Sequence, residues 1–220
     1  MASTRFPGKP LALVNGMPMI WHVWRAVSAT RLIYPHYIAT PDREIIETCE
    51  RLKMAHVLTS SDCRSGTERA NDAMRHLKAL EGDIVVNIQA DEPMIRPESL
   101  DELVRIFADP TVKVASLCCE PPRERFMRDR NRVKVIIGDD GKAASFQRGP
   151  VSPYLKCRQH VGVYAYRREV LAEIADLEPS GDLEQEAWMK AGYKIRMIEI
   201  PYRTVAVDVP ADIEEIEKTA

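Results

Sequence analysis

The sequence predicts an α/β protein with a mixed, mostly parallel sheet covered by helices on both faces, plus a β-rich insertion. Three observations support this. Short apolar runs alternate with helical-period segments from residue 19 to residue 119. The run DIVVNIQ (83–89) has four β-branched residues and almost no polar alternation, as a strand buried on both faces requires. From about residue 120 the regular alternation gives way to hairpin-like and irregular segments.

Taken in order, MIWHVWRAVSA (19–29) carries apolar residues at helical spacing, and HYIAT (36–40) reads as a strand. TPDREIIETCERL (40–52) reads as a helix capped by Thr40, with Pro41 at its first position. AHVLTS (55–60) is a strand, and SGTERANDAMRHLKAL (65–80) is a helix with Ser65 and Glu68 at capping-box spacing. After strand 83–89 come a helix over 96–109 and a strand over 113–119. RVKVIIGDDGKAASFQR (132–148) is a hairpin turning at Asp140-Gly141. A strand and helix fill 160–177, a short helix 183–191, a strand 194–200 and a terminal helix 210–220. The whole chain, 1–220, reads as one domain, with 120–190 holding an insertion for dimerisation and sugar binding.

Composition narrows the function. The 220 residues carry 31 Lys+Arg against 33 Asp+Glu, so no basic excess points to bulk nucleic-acid binding. No stretch nears the ~18 apolar residues of a membrane span, and no apolar signal segment opens the chain. The five cysteines are odd in number and lack C-x-x-C spacing, which predicts reduced thiols and a cytoplasmic location.

Five stretches carry candidate chemistry. The opening MASTRFPGKPL crowds Ser3, Arg5 and Lys9 around Pro7-Gly8, a cationic turn that can hold phosphate. It is not a P-loop, because Ser3 stands where that motif needs glycine and Pro10 where it needs a hydroxyl. A solvated basic turn is the plainer reading. IQADEP (88–93) ends the buried strand, where open parallel sheets bind ligands. There Asp91 can ligate magnesium and Gln89 a polar ligand, or both can simply serve a turn. In VAVDVPADIEE (205–215), Asp208 again follows an apolar strand, as a second metal carboxylate or a helix-entry residue.

In SSDCRSGTER (60–69), capping explains Ser65 and Glu68. Gly66 in the first helical turn costs roughly 1 kcal/mol against alanine, which a ligand approaching the backbone would account for. His160, opening the strand in QHVGVYAYR, is either a structural histidine or a group facing a sugar hydroxyl or carboxylate.

The joint order ASTRFPGKPL, SGTER, VNIQADEPMI, RVKVI, QHVGVYAYR, LEQ and VDVPADIE resembles the CMP-KDO synthetases, the 3-deoxy-manno-octulosonate cytidylyltransferases of lipopolysaccharide synthesis. The likeness covers nearly the whole chain. It implies a Rossmann-like nucleotide-diphospho-sugar transferase fold, a cytoplasmic homodimer, and CTP and a 3-deoxy-ulosonic acid as substrates. Carried over, Lys9, Asp91 and Asp208 are catalytic, and Asp91 and Asp208 hold Mg2+. Ser3, Arg5, Lys9, Ser65 and Gly66 bind the nucleotide, and Gln89, His160, Glu184 and Gln185 face the sugar acid.

The family has a buried strand ending Ile-Pro-Ala-Arg before the residues matching the opening. Its absence from this sequence leads us to expect neighbouring strands with unpaired edges, poor solubility and little activity. Glu186-Ala187, Gln147, Gln159 and Val209 depart from the family pattern, which points to a variant acceptor acid. The alternatives are a cytidylyltransferase for another sugar acid, or an inactive paralogue that binds nucleotide.

Overall fold

The structure, a computed structural model, describes residues 6–121, 126–152 and 156–219. Ser3 and Arg5 lie outside the described residues. A short 3-10 turn, Lys9–Leu11, leads into a two-stranded hairpin, β1 (Leu13–Val14) and β2 (Met17–Pro18). Its turn is Asn15-Gly16, both at positive φ (48° and 78°), which asparagine and glycine tolerate best. The sequence reading passed over this hairpin, although Asn-Gly is its usual signal.

Helix α1 (Met19–Ser28) buries Met19, Ile20, Val23 and Val27, one stripe at helical spacing. Strand β3 (Ile38–Thr40) precedes α2 (Arg43–Arg51), and β4 (His56–Leu58) precedes α3 (Gly66–Leu77). The expected cap of α2 is corrected. Thr40 ends β3, its hydroxyl accepts from the Asp42 N–H at 3.0 Å, and the helix starts at Arg43. Next come β5 (Ile84–Ile88), α4 (Pro97–Arg105), β6 (Val114–Cys119), β7 (Lys134–Ile137) and β8 (Ala143–Gln147). The chain closes with β9 (Arg158–Arg167), α5 (Arg168–Ala175), α6 (Glu184–Lys190), β10 (Ile195–Ile200) and α7 (Pro210–Thr219).

The main sheet has six strands, with β9 at its centre. One edge of β9 pairs antiparallel with β6, which pairs parallel with β10. Its other edge is shared: β5 takes residues 163–167, and β7 takes 158–159. β5, β6, β7 and β10 therefore run one way, and β9 and β8 the other. The segment expected as a β-rich insertion thus builds into the sheet. Apolar cores fill both faces. One packs Trp188, Tyr164 and Tyr166 beneath α5 and α6, and the other packs Leu100, Leu117 and Val163 beneath α1 and α4.

β3 and β4 form a separate parallel pair. Helix α3 packs on both β3 and β5, yet no ladder joins those two strands. A helix is about 10 Å across and paired strands lie about 4.8 Å apart, so the edges flank roughly one strand's width. An elongated cleft of about 1440 Å³ runs between them, lined by Ile38, Ala39, Val86, Ile88, Val23 and Ala73.

Candidate active site

The site lies where β9 exchanges β5 for β7. At that fork β9 bulges: Ser116 of β6 faces Tyr164, but the next residue, Leu117, faces Val161. Gly162 and Val163 form the bulge, a device that re-aims backbone beside functional sites. The chain leaving β5 is fastened to it twice. The Gln89 N–H donates to the Gly162 carbonyl at 2.9 Å, and the Gly162 N–H donates to Glu92 Oε1 at 2.7 Å. The Gln89 side chain crosses so close that a Cβ on residue 162 would stand 2.9 Å from its Oε1, so any larger residue there must displace Gln89.

Asp91 follows at once. Its carbonyl accepts from the Val207 N–H at 2.9 Å, which brings the segment carrying Asp208 beside it. Lys9 Nζ donates to Asp91 Oδ2 at 2.6 Å and to the Val207 carbonyl at 2.9 Å. Asp208 is held from behind, since Asp212 Oδ2 accepts from the N–H groups of Asp208 and Val209 at 2.7 and 2.9 Å. Arg132 grips Asp212 at 2.7 Å and the Ala206 carbonyl at 2.5 Å.

Burial and the neighbouring Asp91 push the Glu92 carboxyl up to about 8. A cavity of about 140 Å³ opens here, lined among others by Asp91, Asp208, Gln89, His160, Glu184 and Gln185. Every predicted sugar-side residue and both predicted carboxylates therefore meet at one place. His160 is buried, and desolvation together with Arg148 lowers its pKa to about 3, so its ring is neutral. Gln185 donates to the Tyr164 hydroxyl, and its own Oε1 is buried without a partner.

Two of the expected site residues, Glu184 and Gly66, also meet each other at the start of α3. The Glu184 carboxylate accepts from the Gly66 N–H at 3.3 Å, the Thr67 N–H at 3.2 Å and the Thr67 hydroxyl, so it caps α3. A Cβ on Gly66 would meet only ordinary contacts at 3.7 and 3.8 Å, so space does not demand glycine there. Ser65 does cap α3, accepting from the Glu68 N–H at 3.1 Å, but Glu68 returns to the Arg64 N–H rather than completing the box. Ser65 and Gly66 line the long cleft. The sequence reading missed Glu92, Arg132, Arg148, Asp212 and Gly162. Glu92 and Gly162 stood inside quoted motifs, while Arg132 reaches the Ala206 carbonyl and Asp212 from 74 and 80 residues away.

Among the described residues no cluster of three or more His, Cys, Asp or Glu forms a metal cage. Asp91 Oδ1 is buried without a hydrogen-bond partner beside Asp208. One or two carboxylates with an open oxygen suit magnesium, which draws its remaining ligands from water and phosphate.

The cytidylyltransferase family profile matches residues 1–217. The chain belongs to that family. This cytidylyltransferase is 40% identical over 228 residues to the 3-deoxy-manno-octulosonate cytidylyltransferase of Oleidesulfovibrio alaskensis, covering 97% of this chain and 90% of that one. It is 34% identical to the mitochondrial enzyme of that name from Arabidopsis thaliana, covering 98% and 79%. A solved CMP:2-keto-3-deoxy-manno-octonic acid synthetase complexed with CTP superposes with a TM-score of 0.87 at 33% identity, covering 98% and 92%. The 4-diphosphocytidyl-2C-methyl-D-erythritol synthase of Anaerococcus prevotii, at TM-score 0.64 and 15% identity, shares the fold alone. Among the described residues of this cytidylyltransferase, no helix is long and apolar enough to cross a membrane.

Proposed function

We propose that this cytidylyltransferase moves CMP from CTP to the anomeric hydroxyl of 3-deoxy-manno-octulosonate, releasing pyrophosphate and feeding lipopolysaccharide synthesis. The observation that carries the reading is Asp91 and Asp208 on the wall of a cavity that also holds His160 and Gln185, with Lys9 bonded to Asp91 from the side of the long cleft. The acceptor oxygen attacks the α-phosphorus in line. The bond to the bridging oxygen breaks, pyrophosphate leaves with that oxygen, and the acceptor's proton passes to solvent.

The protein's part is positioning and charge. Lys9 offers a point charge to the phosphates, with Ser3 and Arg5 in the same opening segment and Ser65 and Gly66 toward the nucleotide. Gln89, His160 and Gln185 orient the sugar acid, and Arg148, on the same cavity wall, offers its carboxylate a cation. Asp91 and Asp208 are the residues that would hold magnesium, which when bound supplies positive charge against the triphosphate. No covalent enzyme intermediate is needed. We take the enzyme to be cytoplasmic, which its free cysteines support. We take it to be a homodimer, which sedimentation analysis checks.

The test is pyrophosphate release from CTP with magnesium and a panel of ulosonic acids, the octulosonate among them. Release with the octulosonate and its loss in Asp91→Asn are expected. Near-normal release by that variant would remove Asp91 from the chemistry. The open edges of β3 and β5 favour a second reading, an inactive nucleotide-binding paralogue. CTP binding without release for any acid would establish it.

A further inference from the structure

Ser116 is fully buried in the middle of β6, an otherwise apolar strand. The bulge in β9 turns the Val163 carbonyl toward it. Ser116 Oγ lies 2.7 Å from that carbonyl oxygen and 2.9 Å from His160 Nε2. A hydroxyl has one proton, and a carbonyl can only accept. The Ser116 proton is therefore committed to Val163, and Oγ must accept from His160. Nε2 then carries the imidazole proton. In a neutral ring the other nitrogen, Nδ1, is left with its lone pair.

The ring is also held in place. Phe146 meets it edge-on at 5.2 Å, and Tyr164 lies tilted against it at 5.2 Å. His160 lines the small cavity beside Asp91 and Asp208.

We propose that Ser116 is a positioning residue: it fixes His160 as the Nε2–H tautomer and so makes Nδ1 an acceptor for a hydroxyl of the sugar acid. The sugar-acid part rests on the proposed function; the tautomer does not. An acceptor nitrogen in that place selects an acid bearing a hydroxyl there. It discriminates against an analogue whose oxygen is methylated or absent, because that analogue leaves a buried lone pair unpaired.

Long-range nitrogen–proton NMR of the full chain, labelled with nitrogen-15 in its five histidines, reads the tautomer directly. His160→Asn assigns the signal. We expect a protonated Nε2 and a bare Nδ1; the reverse pattern in the unaltered protein overturns the proposal. Ser116→Ala should shift that pattern and raise KM for the sugar acid about ten-fold, with KM for CTP and kcat within two-fold. Ser116→Thr, which keeps the hydroxyl, should restore both. An unchanged sugar-acid KM in a folded Ser116→Ala variant overturns the positioning role. A normal tautomer signal with no pyrophosphate release for any acid overturns the functional reading, and the acceptor role with it.

Discussion

Lys9 Nζ stands 2.6 Å from Asp91 Oδ2, and one ammonium thereby ties the opening turn to the end of β5 and, through the Val207 carbonyl, to the approach to α7. The side chains are only 14% and 18% exposed, so water screens the pair poorly. Lys9→Met should cost about 1–3 kcal/mol, because Asp91 is left partly buried without its counter-charge. The double variant Lys9→Met/Asp91→Asn should recover part of that. Urea unfolding of the four proteins gives the coupling directly. A coupling within error of zero would show that the contact is not held in solution.

Gly162 is fixed by the Gln89 side chain, whose Oε1, Cδ and Cβ lie 2.9, 3.1 and 3.3 Å from where a Cβ would sit. The amide tip can rotate away, but the Cβ of Gln89 cannot move without its backbone. Gly162→Ala should cost about 1–3 kcal/mol of stability and raise KM for the sugar acid several-fold, because Gln89 is driven from the cavity wall. Gln89→Gly in the same protein should restore stability without restoring KM. Unchanged kinetics in Gly162→Ala would remove Gln89 from the acceptor site.

Much of this site was legible because strand ends are visible in sequence. The β-branched run 84–88 announces a buried strand, and the first carboxylate past it, Asp91, falls where open sheets bind ligands. Asp208 was found behind an apolar run too, but the expected strand there is corrected: β10 ends at Ile200, and 203–207 is an irregular segment held beside Asp91 by the Val207 N–H. The reversal of β9 was not legible, because apolar content marks a strand without naming its partners. Glu184 caps α3 across 118 residues of chain, a pairing no local pattern encodes. Ser116 looked like ordinary core, since only the bulge opposite it gives its hydroxyl a task.

The separation of β3 from β5 has a direct signature. In β5 the residues bonded to β9 are the odd ones, as the bonds of Asp83 to Arg168 and of Gln89 to Gly162 fix. The amides of Val86 and Ile88 therefore face the cleft. Hydrogen exchange should be at least about 100-fold faster at Val86 and Ile88 than at Val85 and Asn87. Ala39, whose amide faces away from β4, should be equally unprotected. Equal protection along β5 would mean that this edge is paired in solution.

His160 gives the stability a pH dependence whose sign can be worked out. Burial, then Arg148, holds its folded pKa at about 3, while the unfolded chain titrates near 6.5. Below pH 6.5 the unfolded chain takes up a proton that the native ring does not. Its contribution is therefore complete above 6.5 and is lost as pH falls toward 3, by about 2 kcal/mol between pH 6.5 and 5. The other groups against the ring are Ser116, Phe146 and Tyr164. The Tyr164 phenol is held well above its usual value by burial and stays neutral throughout that range. Glu92, pushed up to about 8, works in the opposite sense: the stability it contributes at low pH is lost as pH rises toward 8. That term is common to the native chain and a His160→Asn variant, so it cancels in their difference. Urea unfolding of both proteins from pH 7.5 to pH 5 should show the native chain losing about 2 kcal/mol more than the variant. Parallel curves would mean that the native ring already takes up a proton in that range, and a protonated ring has no acceptor nitrogen to offer a sugar hydroxyl.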